Sequence, residues 1–275
     1  MQLSELCTQI ELPQEVIKRV LKEEKRIKNS KPENLFRELR NPASARKAYD
    51  KLENYLGSDP DHMKMLTCQL LCACEDHAEY AKRGIDEQIF TDTMKCYTRF
   101  LKECKDRTGK TEFDRGWWTY RQISMVLFRI GELEYELTQL KGQKAVSVHI
   151  PSDASFTPEQ VDESLKRSEE FIATFYPDYE ATQYFCESWL LSPRLSDMVK
   201  ETSNIRKFQK LFTIQEDMPE DKEYMEWLFG KTLDTPLEEL PEKTSLQRKA
   251  KELLRNGGNL GAGVGILTKT FTLKN

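Results

Sequence analysis

The sequence predicts an α+β protein: an N-terminal helical bundle over residues 1–112, then a mixed α/β domain over residues 113–275. Three observations predict it. Before Gly109 the apolar residues recur at helical spacing, as in Ala45, Ala48, Tyr49, Leu52 and Leu56. After it, two segments alternate with period two. Leu133, Tyr135 and Leu137 oppose Glu132, Glu134 and Glu136; Val146, Val148 and Ile150 oppose Ser147 and His149. Strand-like and helix-like stretches then interleave to the C-terminus.

Composition sets the bounds. The 275 residues suffice for one large domain or two smaller ones, and 32% charged against 38% hydrophobic residues fits a folded, soluble chain. A net charge of −4 argues against nucleic acid as a partner. No leader-like segment opens the chain, and no run approaches the ~20 apolar residues of a membrane helix. Seven cysteines, several inside apolar helical stretches, fit a reduced, cytoplasmic protein.

In the first part, Pro13, Pro32, Pro42 and Pro60 each stand near a helix start, with Asn41-Pro42 and Asp59-Pro60 as cap-plus-proline pairs. Met63, Leu66, Leu70 and Leu71 mark a helix ending before Gly84. Ile89, Phe90, Met94, Tyr97 and Leu101 mark another, ending by Gly109. The pattern changes after "KDRTGKTEFDRGWW". "WWTYRQISMVLFR" reads as a last helix or the approach to a strand. "GELEYEL" and 145–150 read as strands joined closely enough for a hairpin. Thr157, Pro158 and Gln160 give an N-cap, a first-turn proline and a capping box for a helix over 157–175. Further strands are expected in "TQYFCESWLL", "KFQKLFTI" and "GVGILTKTFT". A short helix is expected from Ser192-Pro193, and two more in "DKEYMEWLF" and "SLQRKAKELLR". The order is β-β-α-β-α-β-α-α-β.

Several residue groups can carry chemistry. The ladder Glu132, Glu134, Glu136 can bind a cationic amine and accept its proton, with Glu134 at its centre the strongest candidate; a solvated strand face explains the outer two. His149 shares that face if the hairpin pairs in register, and its ordinary pKa suits a base. Cys186 lacks a visible base and reads as a buried, inert thiol. In "NGGNLGAGVG" a helix precedes and a strand follows, the reverse of a phosphate-binding turn, so Gly257 or Gly258 reads as a helix C-cap. The later glycines suit a flap or a close-packed strand start. Cys68, Cys72 and Cys74, near His62 and His77, lack paired Cys-x-x-Cys knuckles, and no metal is expected there.

The segments "RIGELEYE", "VHIP", "CESWLLSPRL", "SNIRKFQKLF" and "SLQRKAKELL", in this order, resemble the bacterial acyltransferase-domain proteins. These carry a helical N-terminal domain and a GNAT-like (Gcn5-related N-acetyltransferase-like) C-terminal domain. The resemblance implies two neighbouring parallel strands, 145–150 and 182–191, that splay to admit the pantetheine arm of acetyl-CoA or another acyl-CoA. It places the pyrophosphate at the helix start near Thr157, against Ser152, Asp153, Ala154 and Ser155, with Ser188 on the neighbouring strand. The loop "PSDASF" departs from the glycine-rich GNAT pattern. It has no Gly, Lys or Arg, Pro151 and Pro158 lack N–H groups, and Asp153 and Glu159 are acidic. Two acids there also serve a helix dipole without any ligand. The implied function is an acyl-CoA-dependent N-acyltransferase in which a small-molecule or peptide amine attacks a thioester, with Glu134 or His149 as base. The rival is a non-catalytic GNAT-like module that binds a small ligand or a protein partner. A hydrolase using Cys186 has no visible triad.

Overall fold

A computed structural model describes residues 1–30 and 32–268. It forms two compact units, Met1–Ile130 and Gly131–Asn275.

The first unit is helical: α1 (Leu3–Gln9), α2 (Gln14–Ser30), α3 (Glu33–Leu39), α4 (Ala45–Leu56), α5 (Met63–Arg83), α6 (Glu87–Met94), α7 (Cys96–Thr108) and α8 (Gly116–Ile123), ending in the strand β1 (Leu127–Ile130). Helix α5 is central. Leu66, Cys68, Leu70, Cys72 and Ala73 are all buried, and it packs on α1, α2, α3, α4, α6 and α8. Asp59 caps it from a distance: its carboxylate accepts from the Lys64 N–H at 3.1 Å and the Met65 N–H at 2.9 Å. The helix expected over Ile89–Leu101 is broken at Lys95 into α6 and α7.

The division falls at Ile130/Gly131, later than 112/113, because α8 and β1 belong to the helical packing. Gln69 on α5 donates to the Gly116 carbonyl at 2.9 Å and accepts from the Thr119 hydroxyl. The Arg129 N–H donates to Thr93 Oγ1 on α6 at 3.0 Å. "WWTYRQISMVLFR" is therefore both things expected of it, a helix and then a strand.

The second unit contains β2 (Leu133–Leu140), β3 (Gln143–His149), α9 (Pro158–Phe175), β4 (Gln183–Ser188), α10 (Asn204–Gln209), β5 (Phe212–Met218), α11 (Tyr224–Trp227), α12 (Ser245–Arg255) and β6 (Ala262–Leu267). The short helix expected from Ser192-Pro193 is a 3-10 helix over Pro193–Asp197, and α10 is an added helix before β5; otherwise the expected order holds. Its strands lie in the order β2-β3-β4-β6-β5. Only β3 and β4 are parallel, and α9 is the crossover between them. The β2–β3 hairpin is tighter than expected. Lys141 and Gly142 have φ of 51° and 80°, the two left-handed residues of a type I′ turn, so "TQL" and "QK" lie in the strands.

Three local expectations are corrected. "TQYFCESWLL" stops being a strand at Ser188, whose hydroxyl accepts from the Leu190 N–H at 3.2 Å and starts a 3-10 turn over Trp189–Leu191. "KFQKLFTI" begins as α10, because Ser203 Oγ accepts from the Arg206 N–H at 3.2 Å and caps it; the strand starts only at Phe212. Strand β6 ends at Leu267, and the remainder of "GVGILTKTFT" from Lys269 lies outside the described residues.

The glycines of "NGGNLGAGVG" serve packing. The Gly258 N–H bonds to Leu253 O and the Gly257 N–H to Leu254 O, both at 3.0 Å, which closes α12 as a Schellman motif. A Cβ on Gly263 would stand 2.6 Å from Leu191 O and 3.1 Å from Leu191 C, both backbone atoms. Gly263→Ala is therefore expected to cost about 1–3 kcal/mol of unfolding free energy, read by urea denaturation. An unchanged midpoint would show that the 3-10 turn yields freely.

All seven cysteines are buried and unpaired by disulfides. Desolvation pushes the Cys74 thiol up to about 12 and raises Cys68 and Cys72 as well, so these are protonated packing groups. Among the described residues no helix is long and apolar enough to cross a membrane.

Candidate functional site

The type I′ turn fixes the register of the β2–β3 hairpin, setting Glu134 opposite His149 and Glu136 opposite Ser147. Opposed residues project to one face, so all four share it. Helix α9 covers the other face. There the Tyr135 hydroxyl lies 2.8 Å from Ser164 Oγ, and that oxygen accepts from the Leu133 N–H at 3.2 Å. Glu134 and Glu136 are thus on the sheet face turned away from α9, whereas Glu132 precedes β2 and reaches Gln160 at the start of α9.

On this face Glu134 is 3% exposed. His149 and Glu136 are partly buried, with His149 Nε2 2.9 Å from Glu136 Oε2. His149 Nε2 thus meets the diagonal carboxylate, Glu136. A carboxylate at Nε2 favours the proton on that nitrogen and so places the basic lone pair on Nδ1.

The parallel register pairs Ala145 with Gln183, Val146 with Tyr184 and Ser147 with Phe185, and stops there. Yet β3 runs on to His149 and β4 to Ser188. Beyond Ser147, β4 is paired on its other side alone, with Cys186, Glu187 and Ser188 against Gly265, Val264 and Gly263. The two parallel strands therefore part just where His149 stands. Phe185 and Glu187 share the face of Ser147 and His149; Cys186 and Ser188 share the face of α9.

Glu223, just before α11, adds to the negative field here. Its carboxyl is raised mainly by desolvation, with Asp221 and Glu187 raising it further; the Trp227 indole N–H, 3.1 Å from Oε1, and the nearby His149 hold it down. Glu223 is itself exposed. Glu187 and Glu223 went unread in the sequence, since only folding brings them near His149. Burial also raises the Cys186 thiol, with Glu223 and Glu187 contributing. A thiol held protonated by burial is a poor nucleophile, which counts against the hydrolase alternative.

The loop after β3 is tied to its own chain. The Ala154 N–H donates to Pro151 O at 3.0 Å. The Ser155 N–H donates to Glu132 Oε2 at 2.6 Å. Thr157 caps α9, its hydroxyl accepting from the Gln160 N–H at 3.4 Å. The Gln160 side chain does not close the expected capping box. Its oxygen accepts from the Ser155 and Thr157 hydroxyls, and its Nε2 reaches Glu132 Oε1 at 3.4 Å. Ser152 and Asp153 lie exposed at the tip. Ser188 stands at the end of β4, committed to the Leu190 N–H. So Ser155 and Thr157 converge with Gln160 and Glu132, while Ser188 stands apart at the end of β4. The parting strands can admit a slender chain between them. In the loop, the Ser155 N–H is engaged by Glu132 and the Ala154 N–H by Pro151.

A mixed sheet whose central parallel pair opens over a polar face is the architecture of the GNAT-like proteins. The chain belongs to that family: residues 127–267 match the family model described as the GNAT-like C-terminal domain, and residues 1–125 match that of the N-acyltransferase N-terminal domain. Among solved structures, the chain is similar to an acyltransferase in complex with decanoyl-CoA and teicoplanin. That similarity has a TM-score of 0.79 and 21% identity, over 96% of this chain and 86% of that one. An acyltransferase in complex with decanoyl-CoA gives a TM-score of 0.75 at 20% identity, over 97% and 87% of the two chains. A mutant acyltransferase in complex with octanoyl-CoA gives a TM-score of 0.75 at 20% identity, over 96% and 86%. At such identity the likeness is one of fold. No curated protein matches the sequence.

Proposed function

We propose that the chain is an acyl-CoA-dependent N-acyltransferase that moves an acyl group from a thioester to the amine of a small molecule or peptide. The observation that carries this reading is the end of the β3–β4 ladder at Ser147 and Phe185, with the His149–Glu136 pair beside the opening. The similar structures, named as acyltransferases bound to decanoyl-CoA, octanoyl-CoA and, in one case, teicoplanin, support it.

In this reading the carboxylates of Glu134, Glu136, Glu187 and Glu223 attract a cationic acceptor to the sheet face. His149 takes the ammonium proton, directly or through water, and Glu136 steadies the imidazolium that results. The amine nitrogen attacks the thioester carbon, the C–N bond forms, and the C–S bond breaks as the surplus proton of the nitrogen passes, directly or through water, to the leaving thiolate, releasing the thiol. Backbone groups where the strands part face the developing oxyanion; Pro151 has no N–H to contribute. Domain limits of 1–112 and 113–275 remain an alternative partition, to be tested by limited proteolysis against the division at Ile130.

The rival, a non-catalytic binding module, draws support from the engaged loop donors. Incubation with acetyl-, octanoyl- and decanoyl-CoA and a panel of amines decides between them, read by thiol release and by mass spectrometry of the N-acyl product. Turnover is expected with at least one pair. CoA binding without turnover across the panel would favour the module.

A further inference from the structure

The core of the helical unit carries a polar side chain that its packing leaves unanswered. Gln122 on α8 is 0% exposed, and among the described residues neither its Oε1 nor its Nε2 has a hydrogen-bond partner. Helix α8 packs on α4, α5 and β1, and Gly116, Thr119, Gln122 and Ile123 are its buried residues. The start of that face is satisfied. The Gln69 amide on α5 donates to Gly116 O at 2.9 Å, and its oxygen accepts from the Thr119 hydroxyl. Gln122 stands one turn beyond Thr119 on the same helix, and nothing comparable meets it.

Two further orphans belong to the same neighbourhood. The Tyr97 hydroxyl on α7 and Asp76 Oδ2 on α5 are buried without a hydrogen-bond partner among the described residues. Burial raises the Tyr97 phenol, and Cys96, Cys72 and Asp76 add to it while Thr119 opposes it, so α5, α7 and α8 bring polar groups within electrostatic reach of one another. Buried polar atoms are almost always bonded, and an unbonded amide loses its hydration at two atoms at once. An occupant has to donate to Oε1 and accept from Nε2, in a space that no protein donor or acceptor reaches. Water does both. Inside proteins it typically makes about three hydrogen bonds, and a unit of this size encloses several such molecules.

We propose that the helical unit binds ordered water at the Gln122 amide, as part of a buried polar seam with Thr119, Tyr97 and Asp76. The site is independent of the acyltransferase reading.

The test uses the full chain. A high-resolution crystal structure is expected to show a water at hydrogen-bonding distance, about 2.7–3.2 Å, from the Gln122 amide. An amide bonded directly to a protein group, or packed dry against apolar side chains, overturns the assignment. In solution, Gln122→Leu and Gln122→Met keep the length or volume of the side chain and remove its polar atoms. Deuteron relaxation dispersion, which counts long-lived internal waters, should fall by about one water or more in both variants. The melting temperature should fall by about 2–6 °C, as the polar groups left behind lose their bridge. A dry, orphaned amide predicts the opposite sign, because an apolar replacement then removes a desolvation cost. A rise in melting temperature, or an unchanged water count at any melting temperature, overturns the site. The crystal structure decides alone if neither variant folds.

Discussion

His149→Ala is expected to lower kcat for amine acylation by about 10²–10⁴-fold, the usual worth of a positioned general base. The imidazole stands at the parting of β3 and β4 and is oriented by Glu136 at 2.9 Å. Removing it takes away the proton acceptor and leaves the donor channel between the strands intact. Binding of CoA or pantetheine should therefore persist in the variant, and added imidazole should restore part of the rate. Glu136→Gln is expected to fall less, since an amide can still hold the ring but no longer balances its charge. Glu134 is opposed to His149 in register, while Glu136 bonds its Nε2. Glu134→Gln should act mainly on the acceptor's KM. If His149→Ala keeps full kcat while Glu134→Gln abolishes turnover, the base is Glu134. Single-turnover measurement of product formation makes the comparison.

Arg40→Ala is expected to cost about 3–5 kcal/mol of stability, the largest single effect outside the site. Asp76 on α5 is 1% exposed, and Arg40 Nε donates to its Oδ1 at 2.6 Å; Glu75 shares the guanidinium. Above about pH 7, where Asp76 is ionised, a buried carboxylate is left uncompensated without Arg40. The pair also gives stability a pH dependence. Asp76 is pushed up to about 7, because desolvation outweighs the lowering pull of Arg40, while the charge of Asp76 favours the guanidinium's own protonated state. The native chain thus holds a proton that the unfolded chain releases above about pH 4. This contribution is fully present below pH 4 and is lost as pH rises to 7, with a slope approaching 1.4 kcal/mol per pH unit for one proton. Asp76→Asn should flatten the fall. Chemical denaturation at half-unit pH intervals reads both effects, and a wild-type stability that is level or rising over this range would show Asp76 ionised throughout.

What was legible in the sequence is what neighbours in the chain decide. Thr157 caps α9 because its hydroxyl lies three residues from the Gln160 N–H. The alternation of Leu133, Tyr135 and Leu137 with the glutamates predicts a strand with one acidic face, and the short "TQLKGQK" connection predicts a hairpin in which Glu134 and His149 share that face once paired in register. The family resemblance in "VHIP" and "CESWLLSPRL" extended this to the parallel pair and its crossover helix. Local signals misled where a hydroxyl overrode periodicity. Ser188 and Ser203 each turned an apparent strand into a helical turn, since a capped N–H is satisfied at once whereas a ladder must wait for a partner.

Tertiary structure alone decided the site. That His149 bonds Glu136, that β3 and β4 part after Ser147, that Glu223 gathers beside Glu187, and that Glu132 fills the loop at Ser155 all join residues distant in sequence. No spacing rule encodes such meetings. They depend on the hairpin's diagonal geometry, the crossover through α9, and the competition of each carboxylate for the nearest unsatisfied donor. The sequence by itself determined the elements, their order and the side of the sheet that carries the acids. Packing determined which acid meets which base, because electrostatic and hydrogen-bond energies depend on distance in space and not on distance along the chain.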